Sequence, residues 1–520
     1  MIMLRHAVRR RASALASLAL LAACAGEPST APTPSPTPTP TPTPAPLTVP
    51  AITREFRGLW IATVANIDWP TSTTLSATQQ QAELLTILNL ARTTGLNAVV
   101  LQVRASGDAL FASTLEPWSK SLTGTQGGNP GWDPLAFAVR EAHARGLELH
   151  AWFNPFRAGN LSDSLTRSPL HFARQRPELT RPYCGSLWFD PGEDAVHNQT
   201  IAVIKDVALR YDVDAIHLDD FFYPYPDTKC PNLDFPDSAT FARYQVGGGQ
   251  LARADWRRAN INRFVERLYT EAHALRPSIR VGISPFGIWR PGNPAGITGL
   301  DAYSSIYADS RLWLQQGWVD YLAPQLYWSI ASTGQSFPAL LDWWGQQNTK
   351  GRHLWPGLAA YRVADGTSSA FAASEITTQI ERSRQRSGSL GTILYNTTSV
   401  RLDKGGLATA LAATTNAIPA IPPATPWLDN VAPAAPTITA GASTTSGQLT
   451  VRVTNNAAEV LAWWLVRWRT GSSWSQRLVP WTESTIDIPA ASGGTNTDAV
   501  VVTAIDRAGN ASPDAIWRTP

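Results

Sequence analysis

Two neighbouring carboxylates repel each other, so a chain that holds them side by side in a half-buried place can put that repulsion to chemical use. The run Asp214-Ala215-Ile216-His217-Leu218-Asp219-Asp220-Phe221 sets such a pair at the end of an apolar stretch. In a strand, Ile216 and Leu218 fall on one face and Ala215, His217 and Asp219 on the other. Repulsion and partial burial raise one pKa and leave the second carboxyl ionised, which supplies a proton donor and an anion in one place. Asp219 and Asp220 are therefore the expected catalytic pair. The competing structural roles are an ion pair from Asp219 to Arg104 and a helix cap by Asp220. His217 is expected behind the carboxylates, as their hydrogen-bonding partner.

Other polar and aromatic residues fall where strand-like runs end: Asp68, Arg104, Asn154, Arg157, Tyr223, Gln325, Tyr327, Trp328, Tyr361, Arg362 and Asn396. Sugars call for this mixture, because their flat apolar faces stack on Tyr and Trp while their hydroxyls need donors and acceptors. Trp60 and Trp152 are expected in the core and Trp328 toward a ligand. No Gly-rich phosphate loop, GxSxG elbow or HExxH motif is present, and the residue pattern calls for no metal and no cofactor. The two-glutamate retaining arrangement of many sugar-cleaving barrels is not available, since the seventh strand-like run, LWPGLAAYRV, contains no acid.

Eight strand-like runs position these residues: 57–64, 98–105, 147–154, 214–221, 280–287, 320–327, 353–361 and 391–397. Helical periodicity follows each, near 79–94, 133–145, 194–210, 255–276, 309–317, 337–349, 374–386 and 404–413, which predicts an α/β fold closing as a (β/α)8 TIM barrel over 51–416. Active sites of such barrels lie at the C-terminal ends of the strands. Past an Ala/Pro-rich link (417–436), residues 437–520 lose helical period. LTVRVT, AWWLVRWR and AVVVTAID predict a C-terminal β-sandwich resembling fibronectin type III or immunoglobulin-like modules, with Trp464, Val466 and Trp468 in its core and domain packing.

With 43 Lys plus Arg against 40 Asp plus Glu, the net charge is +3; without Arg5, Arg9, Arg10 and Arg11 it is −1. A nearly neutral chain lacks the basic stripe that nucleic acid requires. Residues 1–23 read as a secretory signal ending Leu21-Ala22-Ala23-Cys24, similar to the bacterial lipoprotein box in which the Cys is acylated. Ala25 after it points to the periplasmic face of a Gram-negative outer membrane. Residues 24–50 are Pro/Thr-rich and predict an extended tether, about 60 Å for some 20 residues at about 3.1 Å each. Cys184 and Cys230 remain after Cys24, and in an oxidising compartment a disulfide between them is expected. Closing a loop of about 47 residues stabilises by roughly 4 kcal/mol in the chain-entropy model.

The runs EFRGLWIATVANIDWP, DPLAFAVREAHARGLELHAWFNPFR, YDVDAIHLDDFFYP, RRANINRFV, VGISPFGIWR and VDYLAPQLYW resemble the glycosyl hydrolase-like 10 family of bacterial exported proteins over about residues 54–400. The resemblance implies a barrel enzyme acting on envelope polysaccharide, with one lipoprotein branch cleaving peptidoglycan glycan strands that have lost their stem peptides. It points to Asp219 and Asp220 as the reactive pair and to Asn154, Gln325 and Tyr327 at the sugar site. For an N-acetylated amino-sugar strand, substrate assistance would let the acetamido carbonyl attack the anomeric carbon. Asp220 would then protonate the leaving oxygen and Asp219 would orient the acetamide, with the reverse assignment and a water-based inverting route also open. A wall-binding lipoprotein without activity and a hydrolase of an amino-sugar exopolysaccharide are the alternatives.

Overall fold

The computed structural model describes residues 47–519; the segment expected to be a signal, the Cys24 expected to carry lipid and nearly all of the expected tether lie outside the described residues. Eight parallel strands form the first layer: β1 (Phe56–Ile61), β2 (Ala98–Arg104), β3 (Glu148–Phe153), β4 (Ala215–Leu218), β5 (Arg280–Ile283), β6 (Tyr321–Leu322), β7 in two pieces (His353–Leu354 and Gly357–Ala359) and β8 (Gly391–Tyr395). Each pairs with its sequence neighbour, and β8 pairs with β1 through Phe56 opposite Gly391, so the sheet closes. The first piece of β7 pairs with β6 and the second with β8. Pro356 sits at the break, where a missing N–H interrupts the ladder.

The helices that follow the strands are α1 (Ala77–Thr93), α2 (Pro134–His143), α3 (Asp194–Arg210), α4 (Arg253–Leu275), α5 (Ser310–Gln316), α6 (Phe337–Gln347), α7 (Ala373–Gln385) and α8 (Leu407–Ala413). Their starts are written in the sequence: Ser76 and Gln79 form a capping box on α1, and Asp133 caps α2 with Pro134 in its first turn. Leu135, Ala138, Val139 and Ala142 recur at helical spacing on α2 and are its buried face.

Alternation holds inside the barrel. Ile216 and Leu218 pack outward under the helices, whereas Phe56, Trp60, Trp152, Ala215, Tyr321 and Trp355 fill the axis. Gly282 is required there, because a Cβ would lie 1.9 Å from Tyr321 Cζ.

A polar chain threads this apolar filling. The Trp60 indole N–H donates to His217 Nε2 (3.1 Å), which makes Nδ1 the protonated nitrogen of His217. His217 Nδ1 thus donates to the Tyr321 hydroxyl (2.9 Å), which donates to His150 Nδ1 (2.9 Å), and His150 Nε2 donates to Glu148 (3.2 Å). Burial holds both histidines below their ordinary pKa, so both are neutral.

The C-terminal region packs one sheet, β9 (Thr437–Ala442), β10 (Gln448–Thr454) and β13 (Thr485–Pro489), on another containing β11 (Leu461–Thr470), β12 (Ser473–Pro480), β14 (Thr495–Asp506) and β15 (Ala515–Arg518). Trp464, Val466 and the half-buried Trp468 join its core. Trp463 and Leu465, of opposite parity, meet Ile421 and Ile505, and Trp463 lies 5.3 Å from His143 of α2. This sandwich docks at the N-terminal ends of the strands: Arg507 reaches Asp212 (2.7 Å), which just precedes β4, and Leu478 lies against Gly146 just before β3. Residues 417–436 are tied down, Ile421 bonding through its backbone to Thr53 and Glu55 and Trp427 donating to Asp320 (2.7 Å).

Candidate active site

At the opposite end of the barrel a cavity of about 530 Å³ opens over the carboxyl ends of β1 to β6 and β8. Trp60 and Trp152 form its floor, Phe221, Tyr225, Phe286, Tyr327 and Tyr395 its walls, and Asp219, Asp220, Gln102, Gln325 and Arg157 its polar groups. Flat apolar faces with a few convergent polar atoms are what a pyranose ring needs.

Each acid is held by its own donors. Asn154 Nδ2 donates to Asp219 Oδ2, and the backbone N–H of Phe221 donates to Asp219 Oδ1 (3.2 Å). Asn154 is itself aimed by Gln102, whose amide donates to Asn154 Oδ1 (2.6 Å). Asp220 accepts from the Tyr225 hydroxyl and from Gln325. Burial, with the neighbouring Asp220 charge second, pushes Asp219 up to about 7. Asp220 is raised as well, first by burial, against the opposing Tyr225 and Gln325 donors. The pair thus keeps one proton near neutrality, the property of a general acid set beside an anion.

The family model of glycosyl hydrolase-like 10 matches residues 55–372. The chain belongs to this family. It is 38% identical over 406 residues to glycosyl hydrolase YngK of Bacillus subtilis strain 168, covering 76% of this chain and 78% of that protein. It is 34% identical over 342 residues to glycosyl hydrolase DigH of Escherichia coli K12, covering 61% and 76%. Among solved structures, the PgaB (BpsB) glycoside hydrolase domain of Bordetella bronchiseptica aligns with a TM-score of 0.48 at 14% identity, over 69% of this chain and 98% of that one. The glycosyl hydrolase-like 10 chain is a glycoside hydrolase, and its barrel places Asp219 and Asp220 together at the mouth.

Several sequence expectations for this family member take other places. Arg104 is wholly buried, paired with Glu116 (2.5 Å) and donating to the Asn154 carbonyl (2.6 Å), so it neither lines the cavity nor bridges to Asp219. The register shift between Gln102 and Arg104 against β3 breaks the alternation and re-aims the side chain. Asp68 accepts from the Ala62 N–H (2.9 Å) and from Thr398 (2.9 Å), pinning the chain after β1 to the segment after β8. His217 lies below the acids, bonded to Trp60, Tyr321 and Ser284 and to neither carboxylate. Asp220 does not cap a helix. Tyr223 is buried outside the cavity against Phe235 and Tyr307. Trp328 packs edge-on to Phe286 and is not among the lining residues. Asn396 lies past the end of β8, and Tyr395 faces the cavity in its stead. Trp60 and Trp152 are core residues that also carry the floor.

Asn154, Arg157, Gln325 and Tyr327 gather around the acids as expected, Asn154 by positioning Asp219. Tyr327 stacks on Tyr395 (5.9 Å), with Tyr361 edge-on to both. Tyr225, Gln102, Phe286 and Tyr395 were missed. Alternation from the inward Ile393 would have found Tyr395, but nothing local separates Tyr225 from Tyr223 in the run FFYPYP.

The cysteines form the expected disulfide, with Cα atoms 5.8 Å apart. Cys184 lies at the turn of a small sheet on the loop after β3, in which Arg157–Asn160 and Thr180–Tyr183 flank Ser186–Phe189. Cys230 lies on the loop after β4, so the bridge ties together two walls of the mouth.

Proposed function

We propose that this glycoside hydrolase cleaves N-acetylated amino-sugar strands of the bacterial envelope, above all peptidoglycan glycan strands that have lost their stem peptides. The observation that carries the reading is the buried Asp219–Asp220 pair, both carboxyls held above their ordinary pKa, in an aromatic-walled cavity. A substrate with an acetamido group supplies its own nucleophile, so one proton donor and one anion suffice. Asp219, held up to about 7, donates the proton to the leaving glycosidic oxygen. Asp220, with the Tyr225 hydroxyl and Gln325 amide favouring its charged form, orients the acetamide and balances positive charge at the anomeric carbon. This reverses the roles first expected for the two residues.

The signal segment, Cys24 and the tether support an exported, lipid-anchored enzyme on the periplasmic face of the outer membrane. The test incubates the compact unit Pro50–Pro520 with peptidoglycan carrying or stripped of its stem peptides and reads soluble products by mass spectrometry. Reducing-end fragments released from stripped strands alone are the expected result. Sedimentation with the wall but no release from either material would instead make the protein a glycan tether.

A further inference from the structure

Arg157 is the one cationic side chain lining the cavity among the described residues, and its guanidinium has no hydrogen-bond or ion-pair partner there. It sits 5.1 Å over the Phe221 ring, half-buried, and feels the charges of Asp219 and Asp220, which line the same cavity. Five N–H donors held partly out of water without acceptors are costly in a finished interior. An unpaired guanidinium lining a sugar-sized cavity calls for a ligand rich in acceptors.

The stem of the side chain is also held in place, and Phe221 lies under its guanidinium. Arg157 pairs through its backbone with Trp188, whose indole N–H donates to the Phe222 carbonyl (2.8 Å), and the sheet containing both is tied to the next loop by Cys184–Cys230. A planar fork so fixed suits a carboxylate, which accepts two parallel bonds, better than a lone hydroxyl.

We infer that Arg157 binds a carboxylate carried by the sugar next to the scissile bond, the lactyl group of a muramic-acid residue, and so makes the site selective for acidic over neutral amino-sugar strands. This rests on the reading of the site as an amino-sugar hydrolase and narrows its substrate.

The test measures kcat/KM of the full-length protein in detergent on strands stripped of stem peptides, with the lactyl carboxyls either intact or reduced to alcohols. The wild type should prefer the intact strands by about tenfold or more, the usual scale of a charge-assisted hydrogen bond. In Arg157→Gln that ratio should fall close to one, and in Arg157→Lys it should fall part of the way, since the charge stays and the fork is lost. A thermal melt by circular dichroism checks the fold of each variant, and Arg157→Lys carries the test if the Gln variant does not fold. An unchanged ratio, with both substrates losing equally, would overturn the inference and make Arg157 a partner of the acids. A wild type that cleaves both strands equally would overturn it while leaving the amino-sugar reading intact, and a wild type that cleaves neither would overturn both.

Discussion

At neutral pH the two carboxyls at the end of β4 cannot both be charged without cost, and their environments divide the work. Replacing Asp219 or Asp220 by Asn should lower kcat by roughly 10²–10⁴-fold, the usual contribution of a general acid or base, measured as product release. Activity of the wild type should fall as pH rises through about 7, where Asp219 loses its proton. Stability follows the same sign. A carboxyl whose folded pKa lies above its unfolded value is protonated in both states at low pH and penalises the folded state once both are ionised. Asp219→Asn should therefore raise the melting temperature relative to wild type at pH 8 and show no such gain at pH 3; an equal gain at both values would refute the assignment. Tyr225→Phe removes a donor to the charged form of Asp220, so the Asp220 pKa rises and the acid-side limb of the pH profile shifts upward.

Among the elements, the barrel interior is the most exacting. Gly282 leaves room for the Tyr321 ring, which bonds both His150 and His217, and His217 in turn holds the Trp60 indole in the cavity floor. Gly282→Ala should cost on the order of 1–3 kcal/mol by overpacking, read by urea denaturation, and should lower activity through Trp60 although residue 282 touches no substrate. The disulfide belongs to the same scale. Cys184→Ala/Cys230→Ala should lose about 2–4 kcal/mol of stability. It should also weaken substrate binding, because the sheet that carries Arg157 loses its tie to the loop after β4.

Across the whole molecule, the sandwich and the cavity occupy opposite ends of the barrel, so the sandwich supports the fold without reaching the acids. Arg507 joins the two parts through Asp212 (2.7 Å) and Asp214 (3.7 Å), and Asp214 also receives His143 (2.9 Å). The Asp214 and Asp212 charges, against burial, raise His143 above its ordinary value. The stability this pairing adds is present below the unfolded His pKa near 6.5 and is lost as pH rises through the higher folded value. Arg507→Ala leaves Asp214 buried with one fewer cation and should cost about 1–3 kcal/mol, with kcat on a glycan substrate unchanged.

Much of this was legible along the chain. Strand alternation, helical period and capping residues are local, so eight β/α units, the closure rule for such repeats and the location of Asp219 and Asp220 at a strand end followed from residue order alone. The pairing of Cys184 with Cys230 followed because two thiols remain after Cys24. Contacts between distant segments are not local, and they decided the rest. The bulge after Gln102 turned Arg104 to Glu116, Thr398 claimed Asp68 from 330 residues away, and Tyr225 met Asp220 while Tyr223 packed against Phe235 and Tyr307. Residue types and their periods settle which elements form and which face each residue takes. Which of several inward polar groups reaches the cavity depends on the partners that packing brings to it, because a buried polar atom bonds to the nearest donor or acceptor whatever its distance in sequence.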